Sequence, residues 1–191
     1  SGNTGGLTWA AQSGGGGGLT SDSQYNTVGG TNAGDSFTGT DAVNNTLIGY
    51  DAGTAITTSD DNVAIGYKAL ETLTTSEDNV AIGAYALQVN TNQANTAIGR
   101  SALTSCTTGQ YNSAFGKHSI YSVTTGSHNV GFGQGAGSSL TTGNYNILIG
   151  KTAGWQSGNS NNLATGSNNI LIGHESLPSS SSVSNEITLG D

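Results

Sequence analysis

The feature that most constrains this chain is an internal repeat of about 17 residues. Glycines that directly follow a large apolar residue mark its register, and six of the eight intervals between them are 17 residues long, the others being 16 and 23. These reference glycines are Gly49, Gly66, Gly83, Gly99, Gly116, Gly133, Gly150, Gly173 and Gly190. A degenerate copy ends at Gly30. Units this short cannot be stable alone, so the pattern predicts that they stack around a shared core.

Each unit carries a short apolar segment with the character of a strand. The residues one and three positions before the reference glycine are mostly β-branched or aromatic, which favours a strand, and alternation places both on one face. We predict that the first of these columns is core, and its members are Ile48, Ile65, Ile82, Ile98, Phe115, Phe132, Ile149 and Ile172. The column between them is mostly small and also apolar. A strand that is apolar on both faces is typically buried on both, so we expect one face inside the coil and the other against another subunit.

Asparagine recurs four residues before the reference glycine. The column consists of Asn45, Asn62, Asn79, Asn95, Asn112, Asn129, Asn146 and Asn169. Stacked coils lie about 4.8 Å apart, which predicts a structural ladder of amide hydrogen bonds. The only cysteine, Cys106, shares a column with Leu73 and Val123 and is therefore expected to be a small buried hydrophobe.

These columns predict an all-β fold, a parallel β-solenoid of about nine coils over residues 41–191, with one face packed against another subunit. Residues 1–40 include a run of five glycines and are interpreted as an irregular Gly/Ser-rich segment, with a short paired strand near residues 7–10. The six extra residues between Gly150 and Gly173 predict a loop that bulges from one coil.

Composition excludes several classes of partner. Only 8% of the residues are charged and the formal net charge is -8, so neither nucleic acid nor an anionic membrane surface is an expected partner. No stretch approaches the roughly 20 apolar residues of a membrane span, so membrane insertion is not expected.

The repeat unit resembles two families. Units such as NVAIGYKALETLTTSED resemble the head repeats of trimeric autotransporter adhesins and the repeat regions of phage tail fibres. The 17-residue period and the Thr-Thr-Gly corner are more similar to the phage version, and SNEITLGD resembles the stretch before the self-cleaving chaperone of some tail fibres. The resemblance covers residues 24–191. It implies a homotrimer and a role in fibre extension or receptor binding at an extracellular location, in a virion tail fibre or on a bacterial surface.

No catalytic constellation or cofactor motif is found, so we expect no enzymatic activity and no cofactor. The acidic pairs Asp60-Asp61 and Glu77-Asp78 occupy equivalent positions in adjacent coils and are weak calcium candidates, with a solvated corner as the favoured interpretation. The three histidines occupy different columns and lack zinc-ligand spacing, although one could hold a metal on a trimer axis.

Aromatic residues provide the best indication of a binding surface. Tyr111 and Tyr145 share a column with His128, and Trp155 lies beside the enlarged coil; these tyrosines and Trp155 are candidate contacts for a cell-surface glycan. Packing at a corner or between subunits is the more ordinary explanation for such residues.

Three further functions remain as alternatives to a phage tail-fibre stalk that mediates host attachment. They are a bacterial adhesin head that binds host matrix or glycans, a self-assembling extracellular filament, and an ice-binding solenoid based on the recurring Thr-Thr pairs.

Overall fold

The structure is a computed structural model that describes residues 19–37 and 41–190. Within these residues there are eleven short strands and no helix. The strands are β1 (Thr20–Ser21), β2 (Thr27–Gly29), β3 (Thr46–Ile48), β4 (Val63–Ile65), β5 (Val80–Ile82), β6 (Thr96–Ile98), β7 (Ser113–Phe115), β8 (Val130–Phe132), β9 (Ile147–Ile149), β10 (Ile170–Ile172) and β11 (Ile187–Leu189).

The strands form one sheet in sequence order, as the repeat predicts. From β2 to β11 every neighbouring pair is parallel and in register, so that equivalent residues of successive repeats face each other. The two-residue β1 pairs antiparallel with β2 and covers its outer edge. Each coil therefore adds one rung to a parallel β-solenoid of about nine turns, and the predicted fold class is confirmed.

The array begins earlier than residue 41, the first residue assigned to the repeat array. β2 pairs with β3 in the same register as the later coils, and Asn26 occupies the asparagine column in front of it. The degenerate copy that ends at Gly30 is thus the first coil. The glycine run at 14–18 and the strand expected near 7–10 lie outside the described residues.

The interior of the coil is lined by the middle residue of each strand. Leu47, Ala64 and their equivalents through Leu148 and Leu171 are buried, and most face a residue four positions after the reference glycine. In most coils the two positions compensate in volume, the exceptions being Gly131 with Gly137 and Leu171 with Leu177. Ala64 faces the large Leu70, whereas Leu47 is paired with Gly53, where a Cβ atom would lie only 2.8 Å from the Leu47 side chain.

The prediction that the residues before the reference glycines form the core is wrong. This column lies on the outward face of the sheet and is half-buried or exposed; it contains Ile48, Ile65, Ile82, Ile98, Phe115, Phe132, Ile149 and Ile172. The physical reason is that side chains alternate between the two faces of a strand. The buried asparagine four positions before the glycine points inward, so the residue two positions after that asparagine points inward as well. The narrow interior then accepts Ala or Leu in that position, and the larger β-branched neighbours point outward.

The reference glycines allow the chain to turn tightly where the strand ends. Gly116 has φ 126°, and a Cβ atom there would lie 2.6 Å from the carbonyl oxygen of Gly133 in the next coil. A side chain is excluded both by this left-handed backbone and by the close stacking of successive corners.

The two irregular intervals are absorbed without breaking the stack. In the 16-residue coil, Asn90 replaces the usual inward apolar residue and its amide donates to Asn79 Oδ1 at 3.1 Å. The 23-residue interval contains the predicted loop, inserted between Gly154 and Leu163, where Gln156 and Asn162 hydrogen-bond to each other across its base. Leu163 then returns to the buried column.

Candidate functional site

The asparagine ladder runs through the whole stack. In most coils the Oδ1 atom accepts both the backbone N–H and the Nδ2 of the next asparagine; for Asn129 and Asn146 both distances are 3.0 Å. In the 16-residue coil the Nδ2 of Asn90 takes the place of that of Asn95 on Asn79 Oδ1. The Nδ2 groups also donate to corner carbonyls, as Asn129 does to Gly143 at 2.9 Å. The predicted ladder is present, and it extends back to Asn26. These buried amides are satisfied within the chain, so they serve the stack and are not free to bind a ligand.

The ladder changes at the last described coil. Glu186 occupies the asparagine position and donates its backbone N–H to Asn169 Oδ1 at 2.9 Å. Its carboxylate accepts hydrogen bonds from the Ser179 N–H and the Thr188 hydroxyl, both at 2.9 Å. The hydrogen bonds from Ser179 and Thr188 hold the pKa of this carboxyl group below its usual value.

The outward face of the sheet is mostly apolar, with Thr46, Thr96 and Ser113 as the polar exceptions in the column of first residues. Two residues of each strand contribute to it, and in β8 and β9 these are exposed: Phe132 is 58% accessible, and Val130, Ile147 and Ile149 are 36–37% accessible. The Phe115 and Phe132 rings lie 5.7 Å apart along it. No other described segment of the chain covers this face. We call it the outer sheet face, defined by the first and third residues of β3 to β11.

The aromatic residues form two stacks and one separate cleft. Tyr111, His128 and Tyr145 stack in successive coils with ring centroids 4.9 and 4.7 Å apart and interplanar angles of 19° and 8°. Tyr50 and Tyr67 stack in the same way on another side, at 5.5 Å. Because the rings cover one another's faces, each stack offers a sugar mainly ring edges.

The stacked tyrosines occupy an unfavourable backbone position. Tyr111, His128 and Tyr145 have φ of 57–59°, in the left-handed region, where most of the other coils place Asn or Asp. The stacking offsets the strain, which costs about 1–3 kcal/mol per residue in such positions.

Trp155 belongs to a different surface. It lines a cleft of about 520 Å³ together with His118, Tyr121, Ser122, Gln134, Gly135, Ser138 and Thr152. The three predicted glycan contacts are therefore not brought together: Tyr111 and Tyr145 are in the stack, and Trp155 is in the cleft. Sequence reasoning missed the other residues of the cleft. Most come from the second and fifth positions after three successive reference glycines, and Ser122 and Gln134 come from the positions beside these.

The acidic candidates do not assemble a cation site. Asp60 accepts a hydrogen bond from the Val43 N–H at 2.7 Å, and Asp61 accepts one from the Asn44 amide at 3.0 Å. Glu77 and Asp78 follow one coil later and are exposed. Residues 19–37 and 41–190 contain no group of three or more His, Cys, Asp or Glu residues that could hold a metal ion.

In most threonine pairs the first residue is half-buried and the second is exposed; in Thr74-Thr75 both are exposed. The first hydroxyl donates to a backbone carbonyl of the next coil, as from Thr107 to Thr124 at 3.1 Å. The second residue, such as Thr108 or Thr125, is exposed and forms a single row that Asn92 interrupts. The exposed threonines therefore form a single interrupted row, in which the hydroxyl groups are regularly spaced only along the stack of coils.

Cys106 is fully buried in its predicted column. Its Sγ–H donates to the Gly109 carbonyl at 3.4 Å, and burial raises the pKa of the thiol to about 12. The prediction of a buried small hydrophobe is confirmed.

Comparison with known proteins identifies no relative. No protein-family model, curated protein or solved structure matches the chain. Across residues 19–37 and 41–190, there is also no helix with the length and hydrophobicity needed to cross a membrane.

Proposed function

We propose that this chain is a structural, non-enzymatic segment of an extracellular fibre, in which three copies pack through their outer sheet faces. The fibre is that of a phage tail, where the segment acts as a rigid shaft or head that spaces or presents contacts on a host surface. A trimeric adhesin head on a bacterial surface is the alternative. The observation that carries the proposal is the apolar outer sheet face.

Parallel sheets are normally buried on both faces. Here the coil interior covers one face. The other presents Ile, Val, Leu and Phe side chains along the stack from β3 to β11, interrupted only by Thr46, Thr96 and Ser113. Contiguous apolar surfaces of this kind mark protein–protein contacts in soluble proteins. A repeated, flat surface fits further copies of the same chain, because the spacing between coils is then identical on both sides of the contact.

The polar groups support a structural role. The buried asparagines hydrogen-bond from coil to coil, and Ser119 donates to the Gly131 carbonyl at 3.0 Å. The polar interior thus contributes to stacking, which suits a stiff rod. The choice of a phage fibre over an adhesin depends on the similarity of the repeat units to those of tail fibres.

The test is the mass of the folded chain in solution, measured by light scattering. We expect a species of three times the 19.0 kDa chain mass. Replacing Phe132 and Ile149 by Asp places charges in the outer sheet face and should release folded monomers. Replacing the exposed Thr125 by Asp is the matched control and should leave the mass unchanged.

A wild-type chain that is a folded monomer at all concentrations would overturn the proposed assembly. Polymers that grow with concentration would instead favour a self-assembling filament. Circular dichroism of each variant shows whether a change of mass reflects dissociation or unfolding.

A further inference from the structure

The Trp155 cleft is a gap in a column that is filled on both sides. Two and five residues after the reference glycine, one coil carries His118 and Tyr121, and the coil two further on carries Thr152 and Trp155. The coil between them has only Gly135 and Ser138 at these positions. The cleft is therefore a slot one coil wide, with a large aromatic residue on each side and small residues at its floor.

The slot has the width of a six-membered ring. Rings in adjacent coils of the Tyr111 stack lie 4.7–4.9 Å apart, which is the spacing of the coils themselves. Tyr121 and Trp155 are attached two coils apart, or about 10 Å. The Tyr121 ring packs edge-on against His118, with centroids 5.3 Å apart. The empty coil between the two attachment points leaves about 5 Å on either side of a further ring, within the usual range for ring contacts.

The lining supplies hydrogen-bonding groups that are free. Across the described chain, the side chains of Ser122, Gln134, Ser138 and the Trp155 indole make no hydrogen bond within the protein. Hydroxyl, amide and indole groups beside an aromatic wall are the chemistry that recognises a sugar, whose ring has an apolar face and a polar edge.

The positive charges of the chain gather at one side of the same slot. There are four Lys and Arg residues in total, and Lys68 is paired with Glu71 at 2.5 Å. The other three, Arg100, Lys117 and Lys151, are exposed and stand directly after their reference glycines, in the column that Gln134 contributes to the slot. None of these three forms an ion pair within residues 19–37 and 41–190.

The charge of this edge affects the slot itself. Burial, together with the positive charges of Lys117 and Arg100, lowers the pKa of His118 below its ordinary value. The nearest acid by position, Glu175, is one coil beyond Thr152 and accepts a hydrogen bond from Gln156 at 3.1 Å. In a chain with a formal net charge of -8, the slot therefore has an unusual positive edge.

We propose that this slot binds an acidic saccharide. Its pyranose ring stacks between Tyr121 and Trp155, and its negatively charged substituent points to Lys117 and Lys151. This goes beyond a spacer role, because it places a receptor contact on the side of the fibre segment. It does not depend on the trimer, and light scattering on the same samples tests the two proposals separately.

The probes are trigalacturonate, in which the charge is a carboxylate, mannose 6-phosphate, in which it is a phosphate, and the neutral galactotriose. Isothermal titration calorimetry of the folded full chain should show binding of at least one acidic probe and at least tenfold weaker binding of the neutral one. The acidic probe that binds identifies the charged group. The affinity should fall as salt is raised, because the basic edge is exposed.

Trp155→Ala should weaken binding of the acidic probe roughly tenfold, as loss of a stacked ring does. The double variant Lys117→Gln, Lys151→Gln should remove the preference for the acidic probe. Tyr145→Ala and Lys68→Gln are matched controls that change an aromatic residue and a lysine outside the slot, and both should bind normally.

Should Trp155→Ala fail to fold, Ser138→Tyr fills the slot from its floor and should abolish binding while the spectrum of the folded chain is kept. Absence of binding by both acidic probes at 10 mM, roughly the limit of weak specific affinity, would overturn the proposal. So would equal binding of galactotriose, or unchanged affinity after both slot substitutions.

Discussion

The two faces of the same strands differ in how much of each is buried within a single chain. On the inward face, Leu148 is fully buried and the amides beside it are hydrogen-bonded from coil to coil. On the outward face, Ile147 and Ile149 of the same strand are each 37% exposed. The inward face holds a single chain together, whereas the outward face is apolar and still lacks a partner in the described chain.

The two faces also use different rules of composition. In most coils the interior keeps a similar volume: Ala114 occurs with Ile120, and Leu148 occurs with Gly154. Gly131 with Gly137 is an exception, and the Ile120 side chain of the preceding coil lies against Gly131. The outer face has no such compensation, since Ser113 and Val130 follow each other in one column, and Phe115 and Phe132 in the other. A tightly constrained interior and a tolerant exterior are expected if the coil folds first and its outer sheet face associates afterwards.

The largest expected effect is on the inward face, at the asparagine ladder. Asn129→Ala would leave the Asn146 N–H and the Gly143 carbonyl without partners, and the Asn146 amide would keep only the Gly166 carbonyl of its two acceptors. Since each unsatisfied buried group costs about 1–3 kcal/mol, the free energy of unfolding should fall by roughly 3–6 kcal/mol. Urea unfolding followed by circular dichroism measures it.

The matched control for Asn129→Ala is Asn161→Ala. Asn161 is half-buried in the inserted loop, where only its backbone N–H is bonded, to Asn159 at 2.8 Å. Its replacement should change the unfolding free energy by no more than about 0.5 kcal/mol. Similar losses in the two variants would show that the ladder adds no special stability.

The second prediction compares adjacent residues of β9 that point to opposite faces. Leu148→Ala empties part of the interior and should lower the free energy of unfolding by about 3 kcal/mol at any protein concentration. Ile149→Ala removes a partly exposed side chain and should cost only about 1 kcal/mol in the isolated chain. If the outer sheet face joins copies, the loss at Ile149 should grow with protein concentration, whereas the loss at Leu148 should not.

Unfolding curves at several chain concentrations, with the mass measured in parallel, separate these effects. Equal losses at Leu148 and Ile149 in a monomeric chain would contradict the assignment of the two faces.

The repeat allowed the coil, the parallel register, the asparagine ladder and the position of Cys106 to be predicted from the sequence. The 17-residue period determines which residues of successive coils stack on each other, and this does not depend on which face of the strand points inward. The choice of inward face was wrong because β-branched and aromatic residues are the usual core residues, and here they lie outside. The sequence nevertheless contained a signal for the inward face. One coil combines the large Leu47 with Gly53, and the next combines the small Ala64 with Leu70. Such an exchange of side-chain volume between two positions is required only in an enclosed interior.

The cleft could not be predicted in the same way. Its walls come from Tyr121 and Trp155, which are separated by 34 positions in sequence, and its existence depends on the smallness of Gly135 and Ser138 between them. Aromatic residues attract notice in a sequence, whereas a missing side chain becomes informative only when the coils are stacked. Tyr111 and Tyr145, by contrast, were easy to notice in the sequence because they are large aromatic residues. In the structure their rings stack on His128.

The last prediction, with the smallest expected effect at neutral pH, compares how fast a thiol on the inward face and a thiol on the outward face react with a labelling reagent. Burial raises the pKa of Cys106 to about 12, so the folded chain should react with iodoacetamide far more slowly at pH 8 than the chain unfolded in urea. The comparison is Ile149→Cys in a Cys106→Val background, since Val123 fills the equivalent interior position of the next coil. That outward thiol should be labelled readily in a monomer and be protected when copies associate.

Raising the pH extends this last test to stability. In the unfolded chain a thiol ionises near its ordinary pKa of about 8.5, whereas in the folded chain Cys106 keeps its proton up to about pH 12. Ionisation therefore favours the unfolded state between these values, and the wild type should lose stability relative to Cys106→Val by up to about 1.4 kcal/mol per pH unit. Below pH 8 the difference between the two should not depend on pH. Two results would contradict a closed interior: rapid labelling of Cys106 in the folded chain, or a stability difference between the wild type and Cys106→Val that stays constant up to about pH 11, inside the window set by the two pKa values. Either result would mean that water reaches the interior and that the two faces differ less than the burial of this column indicates.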